Sequence, residues 1–214
     1  MKFSSLRVHD QNTTWNTRTT QQLSRHITRE ISGSILDVGC SIGISTIELA
    51  LMFPKSHVYG VDYNESILQE HPKLFSSTGW THSTIGKPIF FNSSSIPSNY
   101  SLICAKSPQL PFQENFFDLV CDMNNLYYSV WKMINEGNGS KGRIELENYF
   151  GEMIPYVKND NGLYYISGNR KKRDERELPY EYCILEKKRG KLKIVEHTTN
   201  PTSQLELILE SASQ

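Results

Sequence analysis

The chain carries no surplus of either charge: 23 Lys and Arg balance 23 Asp and Glu over 214 residues. That balance excludes the broad basic field of a nucleic-acid or membrane-surface binder. No run approaches the ~20 apolar residues of a bilayer span, and the opening MKFSSLRVHDQNTTW has no apolar core of a secretory signal. A cytoplasmic protein with no membrane partner is expected. Cysteine is scarce, and Cys40, Cys104, Cys121 and Cys183 are far apart, three of them in or beside runs that read as buried strands. Structural thiols are therefore expected in preference to disulfides or zinc ligands. The six histidines form no metal-like pair, so no metal is expected. The length suits one ordinary α/β domain with its own core and is short for two, so residues 1–214 read as a single domain.

What is present is concentrated in Ile35 to Ile47, ILDVGCSIGISTI, and in Asp62 at the end of VYGVD. An apolar strand that ends in a glycine turn and feeds a helix N-terminus presents backbone N–H groups to a ligand. A carboxylate on the next strand accepts from ribose hydroxyls. This pairing implies a nucleoside-containing cofactor. A dinucleotide turn needs G-x-G-x-x-G, but here Ser41 occupies the second glycine position and no glycine fills the third.

Apolar spacing of four at Leu23, Ile27 and Ile31 predicts a helix over Thr13 to Ile31, stopped by Gly33, and residues 1–33 read as a helical lid segment. Ile44, Ile47 and Leu51 predict a helix ended by Pro54, and His57 to Val61 a second strand. Asn64 caps a further short helix before Pro72. Residues 75–100 read as a long loop insertion with a short strand at Ile89 to Phe91. Leu102 to Ala105 and Phe116 to Cys121 read as strands, followed by a helix through Leu126, Val130 and Met133, then a glycine-rich loop over 135–143. Ile144 to Tyr156 is expected to be helical, Leu163 to Ser167 a strand, and Tyr180 to Glu186 with Leu192 to His197 a terminal hairpin. From Asn200 on, the chain either extends a helix or frays. The β-turn-α-β order argues for parallel pairing and a right-handed crossover.

Taken in order, ILDVGCSIG, VYGVD and LPFQENFFDLV resemble the class I S-adenosylmethionine-dependent methyltransferases over roughly Ile35 to Ser167. The resemblance implies a Rossmann-like three-layer α/β sandwich whose mostly parallel seven-stranded sheet ends in an antiparallel hairpin. It also implies S-adenosyl-L-methionine as cofactor. By resemblance, Gly39, Ser41 and Gly43 line the cofactor turn, and Asp37 helps to place the methionyl portion. Asp62 takes the ribose hydroxyls, and Tyr63 packs on adenine. The alternatives are that Asp62 caps the following helix and that Tyr63 is a core aromatic. The alignment puts Lys106 and Ser107 where the family most often has Asp and Ala. A charged lysine cannot accept the adenine amino group, whereas Ser107 still offers its backbone N–H. Lys106 otherwise reads as a solvent-facing residue.

Asp122, at the carboxyl edge of its strand, is placed to contact the methionyl end of the cofactor. With Tyr127, Tyr128 and His197 it also forms the set of candidate catalytic bases, none of them preferred. Either tyrosine is equally a core residue. No Asn/Asp-Pro-Pro-Tyr/Phe run follows Asp122, which disfavours methylation of nucleic-acid bases and points to a small-molecule acceptor. His9, Asp10 and Trp15 could close over it as a lid, or belong to a solvated arm. The basic cluster Asn169 to Arg173 is neutralised by Asp174, Glu175 and Glu177 and reads as a solvated connection. The short interval from Ser167 to Tyr180 leaves one sheet edge thinly covered, open to a second copy of the chain or to loops. The expected activity is methyl transfer from the sulfonium. Two alternatives stand beside it: a methyltransferase-like subunit without catalysis, and a nucleotide-cofactor oxidoreductase.

Overall fold

The computed structural model describes residues 20, 23–81, 88–89, 91, 96–123, 139–169 and 180–197. Their centre is β1 (Ser34–Val38), paired in parallel with β2 (His57–Asp62) on one side and β6 (Leu119–Met123) on the other. β5 (Tyr100–Cys104) extends the parallel pairing beyond β2, and β7 (Leu163–Asn169) extends it beyond β6. β8 (Tyr180–Lys188) and β9 (Lys191–His197) then add antiparallel, giving the order β5-β2-β1-β6-β7-β8-β9. This is the expected seven-stranded sheet with its terminal hairpin.

Both faces are covered, so the inner strands are apolar at successive positions rather than alternately. Ile35, Leu119, Tyr165 and Ile184 face Leu49 and Phe53 of α1 (Ile44–Met52) and its C-terminal end. Leu36, Val120, Tyr164 and Leu185 face Phe150 and Met153 of α2 (Gly139–Met153). Burying side chains of this size stabilises the fold by about 2 kcal/mol each. Ile42, Ile47, Leu74 and Phe91 form a third cluster, to which the segment between β2 and β5 contributes; there Glu65–Gln69 forms a five-residue helix and His71–Phe75 a 3-10 turn.

Several sequence expectations are corrected. Leu23, Ile27 and Ile31 are all buried, but the described helical residues end at 26, and 27–33 is irregular. The spacing reported burial, while the backbone there finds other partners: the Ser56 hydroxyl donates to the Ile31 carbonyl at 2.8 Å. Within 75–100, read as a loop with a short strand at Ile89 to Phe91, that strand lies at Pro88–Ile89 (β4) and pairs antiparallel with β3 (Trp80–Thr81), which is too short to leave a periodic signal. Of the loop expected over 135–143, residues 139–143 are instead the first part of α2, and 135–138 lie outside the described residues. A helix anchored by buried Leu146, Phe150 and Met153 propagates through glycines that cost about 1 kcal/mol apiece. Finally, the strand read from Phe116 begins at Leu119, because the Phe116 and Phe117 amides both donate to the Tyr156 carbonyl. No helix among the described residues is long and apolar enough to cross a membrane.

Gly33 does not act as a helix stop. A Cβ there would lie 1.8 Å from Asp118 Oδ2, a carboxylate that accepts from the Ser34 amide at 2.9 Å and from Lys158. Gly33→Ala is therefore expected to lower unfolding free energy by about 1–3 kcal/mol. Urea denaturation checks this, and an unchanged or raised midpoint would restore the helix-stop reading.

Candidate functional site

The turn after β1 is built on backbone that only a few residues tolerate. Gly39, Ser41 and Gly43 have φ of 69°, 53° and 91°, and Gly43 is the N-cap of α1. At Gly43 a Cβ would also lie 3.0 Å from His71 Nδ1 and 3.1 Å from Leu102, so the position has neither conformational nor spatial room for a side chain. The left-handed Ser41 is held by an external contact: its amide donates to Asp62 Oδ2 at 2.9 Å.

The amides of this turn are mostly used inside the protein, a departure from the expectation that they face a ligand. Gly39 and Cys40 both donate to the Val61 carbonyl, at 2.8 and 3.0 Å, and Gly43 donates to the Cys40 carbonyl at 2.9 Å. The turn is thus stitched to the end of β2. Asp62 completes the seam, since its Oδ1 accepts from the Asn64 amide at 2.9 Å while Oδ2 holds Ser41. The helix cap proper is Asn64, whose side chain accepts from Ile67 N. A carboxylate has about four lone-pair sites, so Asp62 retains capacity for two further donors.

Three acids lie at the carboxyl ends of three adjacent strands: Asp62 on β2, Asp37 on β1 and Asp122 on β6. Asp37 is 1% exposed, and its Oδ2 accepts from the hydroxyls of Ser45 at 2.7 Å and Thr46 at 2.6 Å on α1. Gly60, directly beside Asp37 on β2, makes this possible. A Cβ at Gly60 would meet Thr46 Oγ1 at 2.4 Å. Burial raises the Asp37 carboxyl to about 6 against these hydroxyl bonds, and Asp122 and Asp62 add to the rise.

Asp122 is fully buried on the opposite face. Its Oδ2 accepts from the Tyr149 hydroxyl at 2.8 Å and from Tyr164 at 3.5 Å, and the Ser107 hydroxyl donates to Tyr149 at 3.0 Å. Burial, reinforced by Asp122, holds the Tyr149 phenol well above its ordinary range. Asp122 and Ser107 are therefore brought together through a residue that sequence reasoning did not single out. The side chain of Tyr149, reaching from α2, makes the connection. Tyr63 is 76% exposed, which removes the core-aromatic alternative. Lys106 is exposed, as its solvent-facing reading had it.

Of the other catalytic candidates, only His197 lies among the described residues. Tyr127 and Tyr128, like the lid residues His9, Asp10 and Trp15, lie outside the described residues. His197 ends β9, four strand spacings from β1, or roughly 19 Å. His71 was also missed. Its Nδ1 lies 2.6 Å from the Ile42 carbonyl and its Nε2 2.9 Å from the Tyr100 hydroxyl, and burial holds the ring below the ordinary histidine range.

The raised Asp37 carboxyl predicts a signed pH effect. The folded state binds the Asp37 proton more tightly than the unfolded chain does, so this stabilisation is complete below about pH 4 and lost as pH rises through about 6. The contribution amounts to about 3 kcal/mol. Unfolding free energies of Asp37→Asn are expected to be flatter than wild type between pH 4 and 6, and parallel curves would contradict the assignment.

Residues 36–136 match the family model described as a methyltransferase domain. Malonyl-[acyl-carrier protein] O-methyltransferase from Legionella pneumophila is 28% identical over 95 residues, 44% of this chain and 27% of that protein. Among solved structures, the [4+2]-cyclase SpnF superposes with TM-score 0.52 at 14% identity, covering 91% of this chain and 55% of that one. A SAM-dependent methyltransferase from Aquifex aeolicus gives 0.51 at 15%, covering 90% and 78%. The chain thus spans about a quarter of the Legionella relative and about half of the cyclase. The sheet order and these superpositions show a Rossmann-like α/β fold of the class I type, and the similarity to a methyltransferase domain lies in residues 36–136, just under half of the chain.

Proposed function

We propose that the chain is an S-adenosylmethionine-dependent methyltransferase acting on a small-molecule acceptor. The observation that carries this reading is the row of acids Asp62, Asp37 and Asp122 at the ends of β2, β1 and β6. A row of carboxylates suits a ligand with a ribose and positive charge, and repels the pyrophosphate of a dinucleotide. The same sign preference weakens the oxidoreductase alternative.

The residues fit the donor in kind. Asp62 has lone pairs for ribose hydroxyls, exposed Tyr63 beside it offers a ring for adenine, and Ser107 lies on the loop after β5. Asp37 and Asp122 supply negative charge toward the methionyl end. When bound, the cofactor supplies a methyl group already activated by the sulfonium. The protein's task is then to align donor and acceptor, exclude water and, for an acceptor with a proton to lose, provide a base. Asp122 holds the Tyr149 and Tyr164 hydroxyls, so its role in this reading is electrostatic and positional. The fold by itself does not dictate the chemistry, since a structural neighbour is a cyclase.

Isothermal titration with S-adenosylmethionine, S-adenosylhomocysteine and NAD tests the reading. Both sulfur compounds are expected to bind and NAD not, with Asp62→Ala weakening them at least ~10-fold, about 1.4 kcal/mol. No heat with either sulfur compound would sink the proposal. Binding without turnover across an acceptor panel would favour the non-catalytic subunit.

A further inference from the structure

We propose that His71 is a positioning residue for the donor turn, an inference that rests on the donor-binding reading above. The Ile42–Gly43 peptide is planar and trans, so its carbonyl and its N–H point in opposite directions. His71 Nδ1 holds the carbonyl end at 2.6 Å, and the Cys40 carbonyl takes the Gly43 N–H at 2.9 Å. A peptide gripped at both ends cannot rotate. This matters most at Gly43, where φ is 91° and no side chain restricts the backbone.

The imidazole is itself fixed in tautomer and direction. A carbonyl only accepts, so Nδ1 carries the proton, and the Tyr100 hydroxyl donates to Nε2 at 2.9 Å. Phe75 and Tyr100 pack edge-on against the ring, with centroids at 5.3 and 5.6 Å. His71 comes from the 3-10 turn after Gln69 and Tyr100 from β5, so both lie outside the β1-turn-α1-β2 unit that forms the turn. The Asp62 contact to Ser41 pins the first half of the turn, and His71 pins the second. His71 acts through Ile42 and Gly43 and is not itself a catalytic residue.

The test uses the full chain with His71→Phe, which keeps a ring against Phe75 and Tyr100 but removes both hydrogen bonds, and Tyr100→Phe, which removes one. Titration with S-adenosylhomocysteine is expected to show about tenfold weaker binding for His71→Phe and about threefold for Tyr100→Phe. The double variant should be no worse than His71→Phe alone, because the two residues act in series. Amide resonances of residues 39–43 in ligand-free His71→Phe should shift. Gly33→Ala, destabilised but remote from the turn, serves as the stability control and should bind as wild type. Wild-type affinity or unshifted turn resonances in His71→Phe overturn this inference alone, as does an equal loss of affinity in Gly33→Ala. A wild-type chain that does not bind overturns the donor reading as well.

Discussion

Carboxylates at the ends of neighbouring parallel strands repel one another, and the architecture around this site is arranged to hold three of them together. Asp37 is steadied by the Ser45 and Thr46 hydroxyls, Asp62 by the Ser41 and Asn64 amides, and Asp122 by the Tyr149 and Tyr164 phenols. The donors to Asp37 come from the start of α1, those to Asp62 from the turn before α1 and from the residue two past β2, and those to Asp122 from α2 and β7. These donors hold the like charges together. What remains is a strand edge of negative sign, ready for a ligand that carries the opposite charge.

The same contacts make the glycine turn more rigid than a simple ligand cradle. Its amides bind the end of β2 instead of standing free, so the turn sets the position of β1 relative to β2 as much as it shapes the site. Gly60 belongs to this arrangement although it lies in mid-strand, since only a hydrogen there leaves room for Thr46 to reach Asp37. Stability and ligand preference therefore draw on one set of residues.

Much of this was legible in the sequence because it rests on local rules. Gly39 and Gly43 mark positive φ, Asp37 and Asp62 are placed by strand length, and the apolar runs of β1, β6 and β7 report strands covered on both faces. The illegible parts depend on partners remote in the chain. Gly33 looked like a helix stop until Asp118 filled the space beside it, and nothing local to His71 or Tyr149 tells which backbone or carboxylate each will meet. Periodicity at Leu23, Ile27 and Ile31 reported burial correctly and conformation only in part, because a buried irregular segment can present apolar residues at the same spacing.

A cationic donor would bind within the field of Asp37, and proton exchange on binding reports this directly. Titrating S-adenosylmethionine, whose sulfonium leaves it with a net positive charge, near pH 6 in two buffers of different ionisation enthalpy measures the protons exchanged per ligand bound. Asp37, held at about 6, should release a fraction of a proton as the ligand's positive charge lowers its affinity for it, with release fading toward pH 8 and abolished in Asp37→Asn. Binding at pH 6 with no proton release, or with uptake, would contradict a cationic ligand beside Asp37.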